Sequence, residues 1–145
     1  MTIKKPSKKQ VQELFSRYNT EHFGGVLPAI PVHWARMLSY GEWCDTTHLD
    51  STKYPHGVIF LSMMEQPACG WEGMLLHEMI HALLYFSQRE TEVLNESLGE
   101  AHDERFAREC NRIGAKLGIE PVTVGECWSW PWTAHDPDDL DDHHE

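Results

Sequence analysis

What this sequence lacks narrows it first. Its four cysteines, Cys44, Cys69, Cys110 and Cys127, form no C-x-x-C pair, which argues against a zinc ribbon and gives no reason to expect a disulfide framework. They read as ordinary reduced thiols. No stretch approaches the roughly eighteen uncharged apolar residues of a membrane span. The start, MTIKKPSKKQ, has lysines but no apolar run behind them. We therefore expect no secretory signal, no membrane association and a cytoplasmic location. Internal repeats are absent. Positive charge is scarce: 12 Lys and Arg face 23 Asp and Glu, a formal net charge of −11. Such a chain does not condense onto phosphate backbones by bulk charge, so any nucleic-acid contact has to be local.

What is present is enough for one core. The 145 residues, 41% of them apolar and six of them Trp, are one domain's worth of chain. The charge is unevenly placed. Six acids fall in the last ten residues, DPDDLDDHHE, and Lys4, Lys5, Lys8 and Lys9 form the one dense basic patch. The simplest expectation is a solvated, disordered acidic end and a flexible, solvated start. The charge asymmetry also allows an autoinhibitory tail over a basic cleft, which deletion of residues 136–145 would relieve.

Along the chain, Val11, Leu14, Phe15 and Tyr18 recur at helical spacing behind Ser7, a candidate N-cap. The glycines and proline of FGGVLP end that helix. AIPVHWARM alternates around Val32 and Trp34 as a strand does. LSYGEWCD reads as a second short strand, and HGVIFLSM, bounded by Pro55, Gly57 and Pro67, as the clearest one. From Trp71 to about Phe86 the chain is apolar almost all round, which predicts a helix buried on most sides. A polar connection to about Gly99 leads to a helix from about His102 to Leu117, with Phe106, Cys110, Ile113 and Leu117 inward and Gly118 ending it. EPVTVGECWSWPWTAHDP predicts a further short strand and then an aromatic segment of no assigned shape. The order implies an α+β domain, a small, mostly antiparallel sheet packed with helices.

Within the buried helix lies HEMIH. Residues four apart on a helix point the same way, so His77 and His81 can offer ring nitrogens to one ion. Glu78, turned about 100° from His77, can reach a water on that ion without being a ligand. Chance, or a hydrogen-bonded core histidine, is the simpler explanation. However, three polar groups in MLLHEMIHALLYF are costly to bury without partners, and a metal with its water satisfies them together. Catalytic zinc sites use three protein ligands and leave the fourth position to water. For the third ligand, a histidine at short fixed spacing fails, because Leu84 and Ser87 stand there. Glu96 in LNESLGE and His102 in GEAHDERFAREC both remain.

EHFGGVLPAIPVHWA, HGVIFLS, LLHEMIHALL and HDERFARECNRIGAKLGI, in that order from about Val11 to Val124, resemble the SprT-like (Spartan-type) zinc metalloprotease domain. The early F-G-G-x-L-P and the late H-x-x-x-F with N-R-I are weak alone and fairly specific around H-E-x-x-H. The resemblance implies a zincin-like fold, Zn2+ on His77, His81 and His102, and Glu78 as the catalytic base. It also implies protein or peptide substrates, including proteins associated with DNA. Two departures stand out: Ala101 and Asp103 flank His102 where the family usually has glycines, and twenty residues separate His81 from His102. The zinc ribbon of longer relatives is absent. Glu96 is the runner-up ligand, since LNESLGE resembles a glutamate-zincin signature with a shorter spacer than usual.

On this reading residues 1–124 form the metallopeptidase domain and 125–145 a Trp-containing segment with the acidic tail. Tyr54 and His56 flank the strand expected to border the cleft and pair with an extended peptide, and are candidate oxyanion donors. Each is also explained as a solvated loop residue. Trp128, Trp130 and Trp132 suggest either a stacking platform for unpaired bases or, by preference, a clamp on the core. His135, His143 and His144 beside the acids have no expected function. The rival to an enzyme is a non-catalytic zinc-stabilised binding or adaptor protein associated with nucleic acid. The sequence leaves the oligomeric state open.

Overall fold

The structure, a computed structural model, describes residues 5–37, 40–44, 52–67, 70–87 and 102–131. The described chain runs through helix α1 (Lys8–Phe23), strands β1 (Val32–Ala35), β2 (Gly41–Cys44) and β3 (Val58–Ser62), helix α2 (Gly70–Ser87), helix α3 (Glu104–Leu117) and a 3-10 turn at Cys127–Ser129. The architecture is α+β, as expected. No helix among the described residues is long and apolar enough to cross a membrane.

Local chemistry sets the ends of α1. The Ser7 hydroxyl accepts from the Gln10 amide at 3.2 Å, and the Ser7 amide donates to the Gln10 side chain at 2.9 Å, a reciprocal capping box. Gly24, at φ 60°, closes the helix in the left-handed region. Two amide side chains then tie α1 to the segment leading into the sheet. Gln12 donates to the Ile30 carbonyl at 2.8 Å and accepts from the Val32 amide at 3.1 Å, which docks the helix on β1. Asn19 does the same for both backbone groups of Leu27.

The sheet has the order β1-β3-β2, with β1 parallel and β2 antiparallel to β3. The expectation of a mostly antiparallel sheet is corrected: it is mixed, one pairing of each kind. The cause is the apolar content of β3. Val58, Ile59, Leu61 and Ser62 are all buried. A strand covered on both faces belongs in the middle, so β3 inserts between its two predecessors. That also leaves β3 without a free edge for the expected pairing with a peptide, because a central strand has both its hydrogen-bonding sides occupied. The open edges among the described strands are β1 and β2.

The register shows which groups of β2 stay free of the ladder. The Ser62 amide donates to the Tyr40 carbonyl at 2.8 Å, making this a hydrogen-bonded pair. Two residues on, Glu42 and Phe60 bond likewise, while Gly41 and Trp43 turn their N–H and C=O away from β3. Gly41 also lets β2 approach α2 closely. A Cβ there would meet Met74 Sδ at 2.8 Å and the Phe60 carbonyl oxygen at 2.9 Å.

The core lies between the sheet and the helices. It gathers Val11 and Phe15 from α1, Ile59 and Leu61 from β3, Leu75, Met79 and Ile80 from α2, and Phe106, Cys110 and Ile113 from α3. Leu117, expected on the inner face of α3, is 48% exposed at its last turn. The strand expected in EPVTVGEC does not form. Asn111 instead takes both backbone groups of Val122, at 2.8 and 3.0 Å, and a turn leads into the Cys127–Ser129 segment. Cys127 and Trp130 are fully buried in the same core. The clamp reading therefore holds for Trp130, while Trp128 is 58% exposed. Trp132 lies outside the described residues.

Candidate metal centre

Two helices bring the histidines together. His77 and His81 stand one turn apart on α2, whose Trp71, Met74, Leu75, Leu76, Met79 and Ile80 are all buried. Burial thus fixes the helix's rotation and aims both imidazoles toward α3. His102 sits just before α3, not within it as expected, and a cap holds it there. The Asp103 carboxylate accepts from the Arg105 and Phe106 amides at 3.0 and 3.2 Å. Arg105 returns a 2.6 Å charged contact to the same carboxylate. The residue that departs from the family's usual glycine is thus the N-cap that places the residue before it.

The three rings converge on one point. His102 Nε2 lies 3.2 Å from His81 Nε2 and 3.3 Å from His77 Nε2, and the possible ligand atoms all fall within 4.8 Å of one another. Three nitrogens bound tetrahedrally at about 2.0–2.1 Å stand roughly 3.3 Å apart, so the spacing fits a four-coordinate ion. The donor chemistry fits as well. His77 Nδ1 is 2.5 Å from the Trp130 carbonyl oxygen. A carbonyl can only accept, so Nδ1 carries the proton and the Nε2 lone pair faces its neighbours. Burial pushes His77 down to about 3 and His81 well below the ordinary histidine range, and it lowers His102 too. Protonation is therefore a poor way to settle three facing nitrogens, whereas a metal cation suits them. Phe106, fully buried, braces all three rings, with centroids 4.9, 4.5 and 4.9 Å from those of His77, His81 and His102.

Glu78 is buried one residue past His77. Burial raises its pKa to about 8; the Glu42 carboxylate adds to the rise and a hydrogen bond from the Trp43 amide opposes it. The Trp43 N–H is one of the groups that β2 turns outward. The glutamate is thereby held at the strand's open edge. A positive charge gathered by the histidines would favour its ionised form.

Other expected residues lie apart from this cluster. Tyr54 packs against His33, with ring centroids at 6.0 Å, and His56 packs against Phe86 beyond His81 on α2, at 6.2 Å. Lys5, Lys8 and Lys9 are exposed around the start of α1. Glu96, Lys4, His135, His143, His144 and the acidic tail lie outside the described residues. Sequence reading missed three contributors: the Trp130 carbonyl, the Trp43 amide and Gly41. Backbone groups carry no residue signature, and a glycine's close approach shows only once its neighbour is placed. Phe106 was visible as the aromatic of H-x-x-x-F, without its part in the site.

With this geometry in place, the chain is an α+β domain whose histidine cluster could hold a metal ion. The chain belongs to the SprT-like family, whose model matches residues 11–126. No curated protein matches it.

Proposed function

We propose that this chain is a zinc-dependent metallopeptidase, with His77, His81 and His102 as the metal ligands and Glu78 as the general base. The observation that carries the reading is the convergence of three Nε2 atoms, two of the separations being 3.2 and 3.3 Å, beside a buried carboxylate that is not among them. When bound, zinc supplies Lewis acidity toward a carbonyl and brings the pKa of a water toward neutrality. The chain's own residues do the rest. Glu78 accepts the proton of the attacking water and returns it to the leaving amine. The Trp43 amide holds that carboxylate in one orientation. Phe106 keeps the floor of the site apolar, which strengthens every charged contact above it.

The substrate fits as an extended peptide. The N–H and C=O of Gly41 and the C=O of Trp43 lie outside the ladder of β2, beside the Trp43 amide that holds Glu78, so a peptide can add to that edge as a further strand. The family relationship extends the reading to proteins associated with DNA, which a net charge of −11 does not favour by bulk attraction.

The test is Glu78→Gln, which keeps size and burial and removes the base. Zinc content should match the parent while peptide cleavage falls by about 100- to 10,000-fold. Undiminished cleavage in that variant would remove Glu78 from the mechanism. A fourth protein ligand closing the site, with no cleavage by the parent, would favour the non-catalytic zinc-binding alternative.

A further inference from the structure

We propose that the segment Cys127–Pro131 is a positioning strap for the metal centre: the Trp130 carbonyl sets the tautomer and orientation of His77, and Cys127 packs its thiol against the backbone that carries His102. The proposal rests on the metal-site reading above and goes beyond it. The strap lies past residue 126, where the match to the family ends.

Four observations support it. First, the 2.5 Å contact from His77 Nδ1 to the Trp130 carbonyl oxygen joins residues 53 apart in sequence and is buried. A neutral imidazole has one N–H, so donating it to that oxygen leaves Nε2 as the lone pair. Without the acceptor, the ring could swap tautomers and turn its N–H toward the other histidines. Second, the Cys127 thiol lies 3.6 Å from the His102 carbonyl oxygen and 3.3 Å from that of Val124. One short segment therefore meets a ligand on α2 and the backbone of the ligand before α3. Third, the indole of Trp130 is not held by its polar atom: among the described residues its buried Nε1 finds no hydrogen-bond partner. Its position comes from packing. The Nε1 atom lies 3.5 Å from where a Cβ on Gly114 would be, an ordinary van der Waals distance, so the ring packs directly over the backbone of α3 at Gly114. Fourth, Trp130 and Cys127 are both fully buried, and a hydrogen bond away from water holds its geometry more firmly than one in solvent.

Trp130 is thus a positioning residue, acting through His77 by its backbone oxygen while its side chain fixes where that oxygen stands. The bulk of that side chain accordingly matters more than its N–H. A phenylalanine can fill much of the same pocket, whereas an alanine releases the segment.

Two measurements on the full chain test this. In the metal-free parent, two-dimensional NMR of the ring nitrogens should find His77 in a single tautomer, protonated at Nδ1. A mixture, or protonation at Nε2, would overturn the proposal. Zinc competition titrations should then show Trp130→Phe close to the parent and Trp130→Ala weaker by about 10- to 100-fold, with helix content retained. Equal affinities for parent and Trp130→Ala would also overturn it. If Trp130→Ala does not fold, the tautomer in the parent and in Trp130→Phe decides. If the parent binds no zinc, the metal-site reading fails, and the tautomer still judges the strap.

Discussion

Helices α2 and α3 both serve the candidate site, yet they are held by opposite means. In α2, Trp71, Met74 to Ile80 and Ala82 are buried, so its place is set by packing on nearly all sides. In α3 the polar and apolar faces are cleanly divided, and its ends are chemically specified: Asp103 caps the start, Glu104 and Lys116 suit the dipole, and Gly118 at φ 76° closes it. The buried helix keeps His77 and Glu78 away from water, where a misplaced polar group is expensive. The capped helix offers His102 from its rim, partly exposed. The candidate ligands on the first helix should therefore depend on core packing, and the candidate ligand before the second on local capping.

The largest effect should come from removing the proposed ligand at the rim. We expect His102→Ala to lower zinc affinity by more than the about 10- to 100-fold that partners outside the first coordination sphere command. Glu96→Ala should retain the zinc content of the parent. Metal analysis of the two variants beside the parent reads both, and the opposite pattern would hand the third ligand to Glu96.

Next in size is Phe106, where the two helices meet. It is fully buried on α3 and touches the rings from α2. Phe106→Ala should destabilise the fold by about 3–5 kcal/mol in denaturant titrations, through lost transfer energy and the cavity left behind. Zinc affinity should fall with it. A loss below about 1 kcal/mol would mean that the site closes over the gap, which a close-packed core resists.

A smaller effect should isolate the cap. Asp103→Ala removes the acceptor for two amides, and the expected loss is about 1 kcal/mol. Asp103→Asn should recover much of it. Zinc affinity in the alanine variant separates the roles: a drop beyond the stability change would show that the cap also positions His102, whereas unchanged affinity would confine it to helix ends.

These contrasts mirror how the elements could be read from the chain. Both α2 and the Ser7 cap of α1 were legible, because a long apolar run and a capping box are local signals. The positions of β1, β2 and β3 were legible too, but the strand expected in EPVTVGEC did not form, and the pairing of the three was not legible. Nothing local in HGVIFLS says that it inserts between earlier strands; the reason is burial of both its faces, which depends on α2 and on the opposite side of the sheet. At the site, the histidines and Glu78 stand out by type and spacing. His102 needed the family resemblance, since twenty residues of sequence hide its approach to His81. The acceptor at Trp130 and the donor at Trp43 were invisible because any residue type supplies those atoms.

The smallest expected effect lies away from the site, where α1 meets α3. His22 is buried in the last turn of α1, near Lys116 and Arg112 of α3. A histidine at a helix C-terminus ordinarily gains from the dipole in its charged form. Here burial outweighs that gain. It lowers the pKa first, Lys116 and Arg112 lower it further, and Glu21 opposes them. The folded state then binds a proton less readily than the unfolded chain, whose histidine titrates near about 6.5. The stabilisation is fully present above that pH and is lost as pH falls through it toward the lower folded value. The site histidines share this sign in the metal-free protein, so the parent alone cannot separate them. Denaturant titrations from pH 7.5 to 5.5, with a chelator present, should show a shallower fall for His22→Gln than for the parent. Parallel curves would assign the whole dependence to the other buried imidazoles and leave the α1–α3 contact without a role in it.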